Sequence, residues 1–365
     1  MNVPFMDLPR QHAPLAAELQ AAFERVLGSS GFILGAEVER FEAEFADYCG
    51  AAHCVGVGSG TAALMIILEA AGIGPGDEVI VPAHTFIATA LAVSHAGATP
   101  VCAEVEEGTG LIDPAAVRAA IGPRTAAILP VHLYGQVCRM DELRELATGA
   151  GLALFEDAAQ AHGAAHNGRR AGALGRAGAF SFYPSKNLGA LGDGGAICTD
   201  DAELAASARR FRDLGRLGSQ EHTVAGYNER LDALQAAFLR IKLAHLDRYN
   251  EARRAHATRY REQLGDVVEL LDERPDSPCI YHLFPIRVDD RDALAATLRA
   301  DGIATGVHYP VAVPDHPALP ELSAAETPVA RDWSRRELSL PIFPEMSRDE
   351  VEHVARQVRS RAIQR

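Results

Sequence analysis

No stretch of about eighteen apolar residues, the length a helix needs to cross a bilayer, occurs in the chain, so nothing in it is expected to span a membrane. Residues 1 to 20 carry Pro4, Asp7, Pro9 and Glu18 where an export signal would have an apolar core. The six cysteines, at 49, 54, 102, 138, 198 and 279, form no Cys-x-x-Cys pair and have no histidine partner at metal-ligand spacing. That leaves no sequence case for a disulfide framework or a structural metal, and a reduced, cytoplasmic setting is expected. Basic residues are short as well: 35 Lys and Arg face 49 Asp and Glu, a formal charge of −14. Nucleic acid and anionic membrane are therefore not expected partners. A phosphorylated small molecule stays admissible, because local fields outweigh net charge. Tandem repeats and low-complexity linkers are absent too.

What the chain does have is length and apolar content. Its 365 residues, 48% of them hydrophobic, suffice for one large domain and a smaller one. The opening predicts helices over 14–27 and 37–48, separated by Gly28-Ser-Ser-Gly and a short apolar segment, Phe32-Ile-Leu-Gly. A strand is predicted at 53–57, then the turn Gly58-Ser59-Gly60-Thr61, then a helix over 62–71. Strand and helix patterns alternate at 78–81, 85–95, 99–103, 114–121, 125–129 and 140–150. Such alternation predicts an α/β fold whose large domain is a mostly parallel, mixed sheet flanked by helices. Further strands are predicted at 152–155 and 177–182, and a helix at 202–214. Residues 215–226 are poor in apolar side chains and read as flexible, and one long helix is expected to run to about Leu264 with its Arg and His on the wet face. From about Val267 the pattern becomes that of a small α+β domain, with strands at 281–288 and 303–308 and helices at 291–301, 328–337 and 348–360. Residues 338–341 read as the connection between the last two helices. The expected division is 1–250 for a large cofactor-binding domain and 251–365 for a small C-terminal one.

The chemistry concentrates after the strand at 177–182, which breaks at Pro184. Lys186 follows, and glycines crowd behind it at 189, 192, 194 and 195. Glycines this dense let the backbone bend sharply and approach a bound group closely. A lysine at the mouth of a buried strand is partly desolvated, which makes its amine a usable nucleophile toward aldehydes and ketones. Upstream, Glu156, Asp157 and Gln160 stand at the C-terminal end of the 152–155 strand. Ligands of open α/β sheets gather outside the carboxyl ends of strands. An acid and a lysine on two such ends suit pyridoxal 5'-phosphate: the carboxylate keeps the pyridine nitrogen protonated, and the lysine holds the aldehyde as a Schiff base. The Gly58–Thr61 turn adds free N–H groups, the positive end of a helix dipole and two hydroxyls, a seat suited to the cofactor phosphate. The same Ser59 and Thr61 would serve equally as a plain helix cap. His162 and Asp157 lack a third ligand at workable spacing, so no metal is expected.

Together these stretches resemble the nucleotide-sugar aminotransferases of the DegT/DnrJ/StrS type, which are fold type I pyridoxal phosphate enzymes. The likeness runs from Phe5 to about Pro344 and is carried chiefly by Gly58–Thr61, Glu156–Gly163 and Phe180–Gly195. It implies Lys186 as the Schiff-base lysine and general acid–base, and Asp157 as the partner of the ring nitrogen. Ser59, Gly60, Thr61 and Ser181 are implied at the phosphate, Phe86 flat against the ring, and Gln160 on its phenolic oxygen. Asn228, in Tyr227-Asn-Glu-Arg-Leu-Asp, is implied to touch the cofactor phosphate of a neighbouring subunit, which makes a homodimer with shared sites. Tyr183, Arg230, His308 and Tyr309 are implied near the sugar. The chain departs from the family pattern at Ala62, where an acid is usual, and at Glu229, where a serine is usual. It departs again at Val311–Pro317, where relatives more often show Pro-Leu-His-x-Gln, and this leaves the sugar contacts open.

The resemblance implies transamination of a nucleotide-linked keto-sugar, with glutamate or glutamine as amino donor. The opening and the Asp157–Gly163 stretch look most like enzymes that aminate C3 of a dTDP-3-keto-6-deoxyhexose. Three rivals share the scaffold. A cyclitol or other aminotransferase would keep every cofactor residue. A pyridoxamine-dependent sugar dehydratase would carry histidine where Lys186 stands. A non-catalytic regulator would bind cofactor or sugar only as a signal.

Overall fold

The structure, a computed structural model, describes residues 1–218, 220–322 and 324–362. Its central sheet has seven strands: β1 (His53–Val57), β2 (Glu78–Pro82), β3 (Thr99–Ala103), β4 (Thr125–Ile128), β5 (Ala153–Asp157), β6 (Ala177–Ser181) and β7 (Gly195–Thr199). Their spatial order is β1-β7-β6-β5-β4-β2-β3. All neighbours pair in parallel except β7, which runs against both β6 and β1. Helices cover both faces, so the strands read as nearly continuous apolar runs rather than as an alternation of polar and apolar residues. In β2, Ile80 packs into one layer with Phe41 and Phe182, while Val79 and Val81 pack into the other with Leu64 and Val93.

The reversed strand decides what the sheet can hold. Because β7 is antiparallel, its first residue arrives at the edge where β1 and β6 end, and Gly195 stands between Val57 and Ser181 in register. A Cβ at Gly195 would come within 2.4 Å of the Ser59 carbonyl carbon, so only glycine permits this closeness. The outer strand β1 is anchored by a buried ion pair. Glu42 accepts the Gly56 N–H at 2.8 Å and also the Arg212 guanidinium, which donates to the Gly56 carbonyl at 2.7 Å.

The C-terminal region forms a second, three-stranded antiparallel sheet, with β9 (Phe284–Arg287) between β8 (Glu269–Leu270) and β10 (Glu337–Leu340). Here several expectations need correction. The stretch around 338–341 is a strand, whereas 303–308 makes only isolated bridges, Ile303 to Val3 and Gly306 to Ser339. Residues 216–217 and 221–222 pair as a small hairpin inside the segment expected to be flexible. The expected long helix is two, Ala233–Leu243 and Leu246–Leu264. Arg253 and His256 on the second are buried, not wet. The reason for Arg253 is specific: its Nη1 donates to the carbonyls of Ile342 at 2.7 Å, Tyr281 at 3.2 Å and His282 at 3.3 Å. One guanidinium thus ties three backbone segments together behind the sheet.

Arg253→Met keeps the length of the side chain and leaves those three buried carbonyls without a donor. The expected loss is roughly 2–5 kcal/mol of unfolding free energy, measured by urea denaturation. A variant as stable as the parent would show that water replaces the guanidinium at no cost.

Candidate active site

The carboxyl ends of β1, β2, β5 and β6 and the start of β7 open onto one cleft of about 510 Å³. Its walls include Ser59, Gly60, Thr61, Phe86, Asp157, Gln160, Ser181, Tyr183, Lys186, His308 and Tyr309. These residues are far apart in sequence, and the strand order brings them together. Asn228 and Arg230 are not among the lining residues. Arg230 pairs with Asp213 at 3.1 Å and bridges Val57, and Asn228 is exposed outside the cleft.

After β6 the chain turns at once, with the Lys186 N–H bonded to the Tyr183 carbonyl at 2.8 Å. The turn sets Lys186 into the cleft. Burial pulls its amine down to about 8, against a smaller upward pull from Asp157. Lys242, buried where Lys186 is half-buried, donates to the Gly189 carbonyl and lies outside the cleft lining. Asp157, 5% exposed, ends β5. Its Oδ2 accepts Thr89 Oγ1–H at 2.7 Å and its Oδ1 accepts the Ala159 N–H at 3.1 Å. Burial pushes its carboxyl up, while Thr89, Ala159 and Lys186 favour the ionised form.

Glu156, one residue earlier, points to the opposite face of the sheet, as strand alternation requires. It accepts N–H groups from Gly172, Leu174 and Gly175 at 2.7–2.8 Å and the His132 ring at 3.0 Å. His132 Nδ1 accepts the Cys138 N–H, so its Nε2 carries the proton given to Glu156. Burial raises the Glu156 carboxyl, but these donors outweigh it and hold the group below its usual value. Glu156 is scaffold, and Asp157 is the acid of the cleft.

At the other wall, Ser59 caps the helix Gly60–Ala70 by accepting the Ala62 N–H at 3.1 Å. The cap and the anion seat are therefore one feature. A Cβ on Gly60 would sit 2.6 Å from that of Ser181, so the hydroxyls of Ser59, Thr61 and Ser181 converge on the helix N-terminus. Phe86 is 53% exposed and its ring centroid lies 5.3 Å from that of Tyr309, leaving an aromatic face for a flat ligand. Gln160 accepts the Tyr134 N–H at 2.7 Å and donates to Tyr309 Oη at 3.0 Å. His308 bonds Ser339 Oγ through Nδ1 at 2.9 Å, and burial lowers its pKa to about 4. Buried carboxylate, desolvated amine, aromatic face and hydroxyl-lined anion seat are the donor set that pyridoxal phosphate requires, and the residues fit it. Among the described residues, no cluster of His, Cys, Asp and Glu could hold a metal ion.

Thr89, Tyr134, Asp193 and His282 also belong to the site or support it and were not singled out from sequence. Thr89 stands in the Thr85-Phe-Ile-Ala-Thr element, where nothing local marks it as the partner of Asp157. Tyr134 lies in the Pro130–Gln136 run, which reads as scaffold near the sugar site, and His282 gives no local signal; each acts through a distant partner.

A family model, the DegT/DnrJ/EryC1/StrS aminotransferase family, matches residues 14–359. The erythromycin biosynthesis sensory transduction protein EryC1 of Saccharopolyspora erythraea is 51% identical over 358 residues, 97% of this chain and 98% of that protein. The dTDP-3-amino-3,4,6-trideoxy-alpha-D-glucose transaminase of Streptomyces venezuelae is 50% identical over 362 residues, 98% and 96% of the two chains. The crystal structure of S. venezuelae DesV in complex with a ketimine intermediate superposes with a TM-score of 0.97 at 50% identity, covering 99% of this chain and 98% of that one. NtdA from Bacillus subtilis with bound cofactor PMP superposes with a TM-score of 0.92 at 32% identity, covering 100% and 86%.

The adjacent acids should separate cleanly in mutation. Asp157→Asn keeps shape and fold but removes the charge, and transamination should fall at least about a hundredfold, at about 1.4 kcal/mol per decade. Glu156→Gln turns an amide toward backbone donors and should cost roughly 2–5 kcal/mol of stability. Steady-state rates and urea curves on both variants test this, and near-normal turnover in Asp157→Asn would identify the wrong acid.

Proposed function

Because the chain belongs to the DegT/DnrJ/EryC1/StrS aminotransferase family, we propose that it aminates C3 of a dTDP-linked 3-keto-6-deoxyhexose, using pyridoxal 5'-phosphate and taking nitrogen from glutamate or glutamine. One observation carries the proposal: Lys186, Asp157 and the Ser59–Thr61 seat share a single cleft. Relatives named as transaminases of 3-amino deoxysugars support the substrate.

When bound, pyridoxal phosphate supplies an aldehyde carbon open to amines and a ring that takes up the electrons of a broken Cα–H bond. The chain's residues do the rest. Asp157, fixed by Thr89 and Ala159, holds positive charge at the ring nitrogen. Ser59, Thr61, Ser181 and the helix N-terminus bind the phosphate, and Phe86 and Gln160 orient the ring. With its amine near 8, Lys186 has a sizeable neutral fraction at neutral pH, where an exposed lysine has almost none. Its Nζ takes the proton from the donor's α-carbon and returns a proton across the cleft. Sugar and donor use the cleft in turn, the oxo-acid product leaving before the sugar enters.

The same reading makes the active unit a homodimer. Among the described residues lining the cleft there is no arginine, although a nucleotide diphosphate and a cofactor phosphate bring several negative charges. Phe86 and Tyr183 stay more than half exposed on its wall. A second copy supplying Asn228 and Arg230 would cover the rings and add the missing cation. A cytoplasmic setting suits the substrate, and among the described residues no helix is long and apolar enough to cross a membrane.

Two outcomes are expected. Borohydride reduction should fix the cofactor's mass on the Lys186 peptide, and a panel of nucleotide keto-sugars should give a mass gain of amination only where the ketone is at C3 of a dTDP-sugar. Label on Lys242, or preference for another nucleotide, would overturn the respective assignment. A protein that binds cofactor but exchanges nitrogen with no donor would be a regulator, as the name of the S. erythraea relative suggests for that protein.

Lys186→Ala and Asn228→Ala should each be inactive alone yet complement when refolded together. Random pairing makes about half the dimers mixed, so about a quarter of all sites would be native under two-fold symmetry. Mixed dimers with no regained activity would place Asn228 at the site of its own chain.

A further inference from the structure

Lys186 is followed by Asn187, whose side chain is buried. A hydrogen-bonded chain runs from it in both directions, and its polarity follows from one fixed end. That end is the backbone carbonyl of His162, which can only accept, so the Asn250 atom 2.8 Å away is the amide nitrogen. Asn250 therefore turns its oxygen to Asn187, which donates through Nδ2 at 2.8 Å. The Asn187 oxygen is left facing His282 Nδ1 at 3.1 Å, and that ring nitrogen must carry the proton. Gly163, at φ +88°, makes room for Asn250: a Cβ there would stand 2.8 Å from its Nδ2. Burial, aided by the Lys186 charge, keeps the imidazole neutral, so Nε2 has a bare lone pair. His282 lines the same cleft as Lys186.

We infer that His282 is a positioning residue whose Nε2, held as an acceptor by the chain through Asn187 and Asn250, takes an N–H of the Lys186 amine whenever that amine is free in the cleft. The tautomer matters for a simple reason. A neutral amine has two N–H bonds and one lone pair, and it is the lone pair that must meet the proton of the donor's α-carbon. A fixed acceptor that ties down one N–H narrows the directions in which the lone pair is wasted. The opposite tautomer would present Nε2–H, compete for the lone pair and quench the base. The control reaches His282 through the residue next to Lys186, so the lysine's segment and its acceptor are set as one unit. The inference rests on the transamination reading for the role of Lys186, but not for the tautomer.

The test uses the full-length enzyme loaded with pyridoxamine phosphate, in which Lys186 is not joined to the cofactor, with 15N-labelled histidine. The His282 resonances are assigned by their loss in His282→Asn. Nε2 should resonate as a pyridine-type nitrogen near neutral pH and should shift when Lys186 is replaced by alanine. A pyrrole-type Nε2, or one unmoved in Lys186→Ala, overturns the inference. A kinetic arm separates position from packing. Asparagine at 282 can still donate to Asn187 but lacks the Nε2 atom, whereas glutamine places an acceptor near it. His282→Asn should lose roughly ten- to a hundredfold in kcat with donor KM little changed, and His282→Gln should regain most of it. Equal losses in the two variants, or none in His282→Asn, would overturn the proposal. If no nucleotide keto-sugar is aminated at all, the functional reading fails, while the two resonance measurements still decide the tautomer and its contact.

Discussion

A lysine amine taken out of water beside a buried carboxylate is the constraint on which the rest of the structure depends. Desolvation alone would leave Lys186 neutral and Asp157 protonated, and full solvation would leave both charged and inert toward carbon acids. Here burial moves the two pKa values toward each other, and their mutual attraction limits the movement. Thr89 and the Ala159 N–H keep Asp157 able to carry charge without water. The strand order places the pair at one edge, and the reversed β7 brings the Gly195 backbone against the seat in which a phosphate would lie.

The neighbouring acids show how little separates a scaffold residue from a chemical one. Glu156 and Asp157 are adjacent, both are buried, and both accept hydrogen bonds. Strand alternation sends Glu156 into a closed ring of backbone donors and Asp157 into the cleft. A residue with all its lone pairs occupied by fixed donors has no capacity left for a ligand. The same logic distinguishes the two desolvated lysines: Lys242 is tied to the Gly189 carbonyl, and Lys186 faces the cleft.

Much of this was legible from sequence because it is local. The strand at 53–57 and the glycine turn after it, the acid and the lysine on strand ends, and Ser181 were all carried by short-range patterns that also matched a family. What escaped depends on partners distant in sequence. Arg253 looked like a solvent-facing residue of a polar helix, yet it holds carbonyls of Tyr281, His282 and Ile342. Thr89 is polar in a helix, and only the fold shows that it points at Asp157. His282 lies in an apolar run, Ile280–Phe284, that reads simply as strand, and its ring is aimed by residues 95 and 32 positions away. The break at Ala244–His245 has no sequence signal such as proline or glycine, and the structure offers no physical account of it.

The most direct test of the central claim is the ionisation of Lys186 itself in the cofactor-free protein. The rate at which a small amine-directed reagent modifies Lys186, followed against pH by peptide mass, reports the neutral fraction of that one amine. The midpoint should lie at about 8, and it should fall further in Asp157→Asn, because the carboxylate's attraction for the ammonium is gone. A midpoint near 10.5, the ordinary value for a lysine, indifferent to Asp157, would mean that Lys186 is solvated like a surface residue and that the cleft does not prepare it for chemistry.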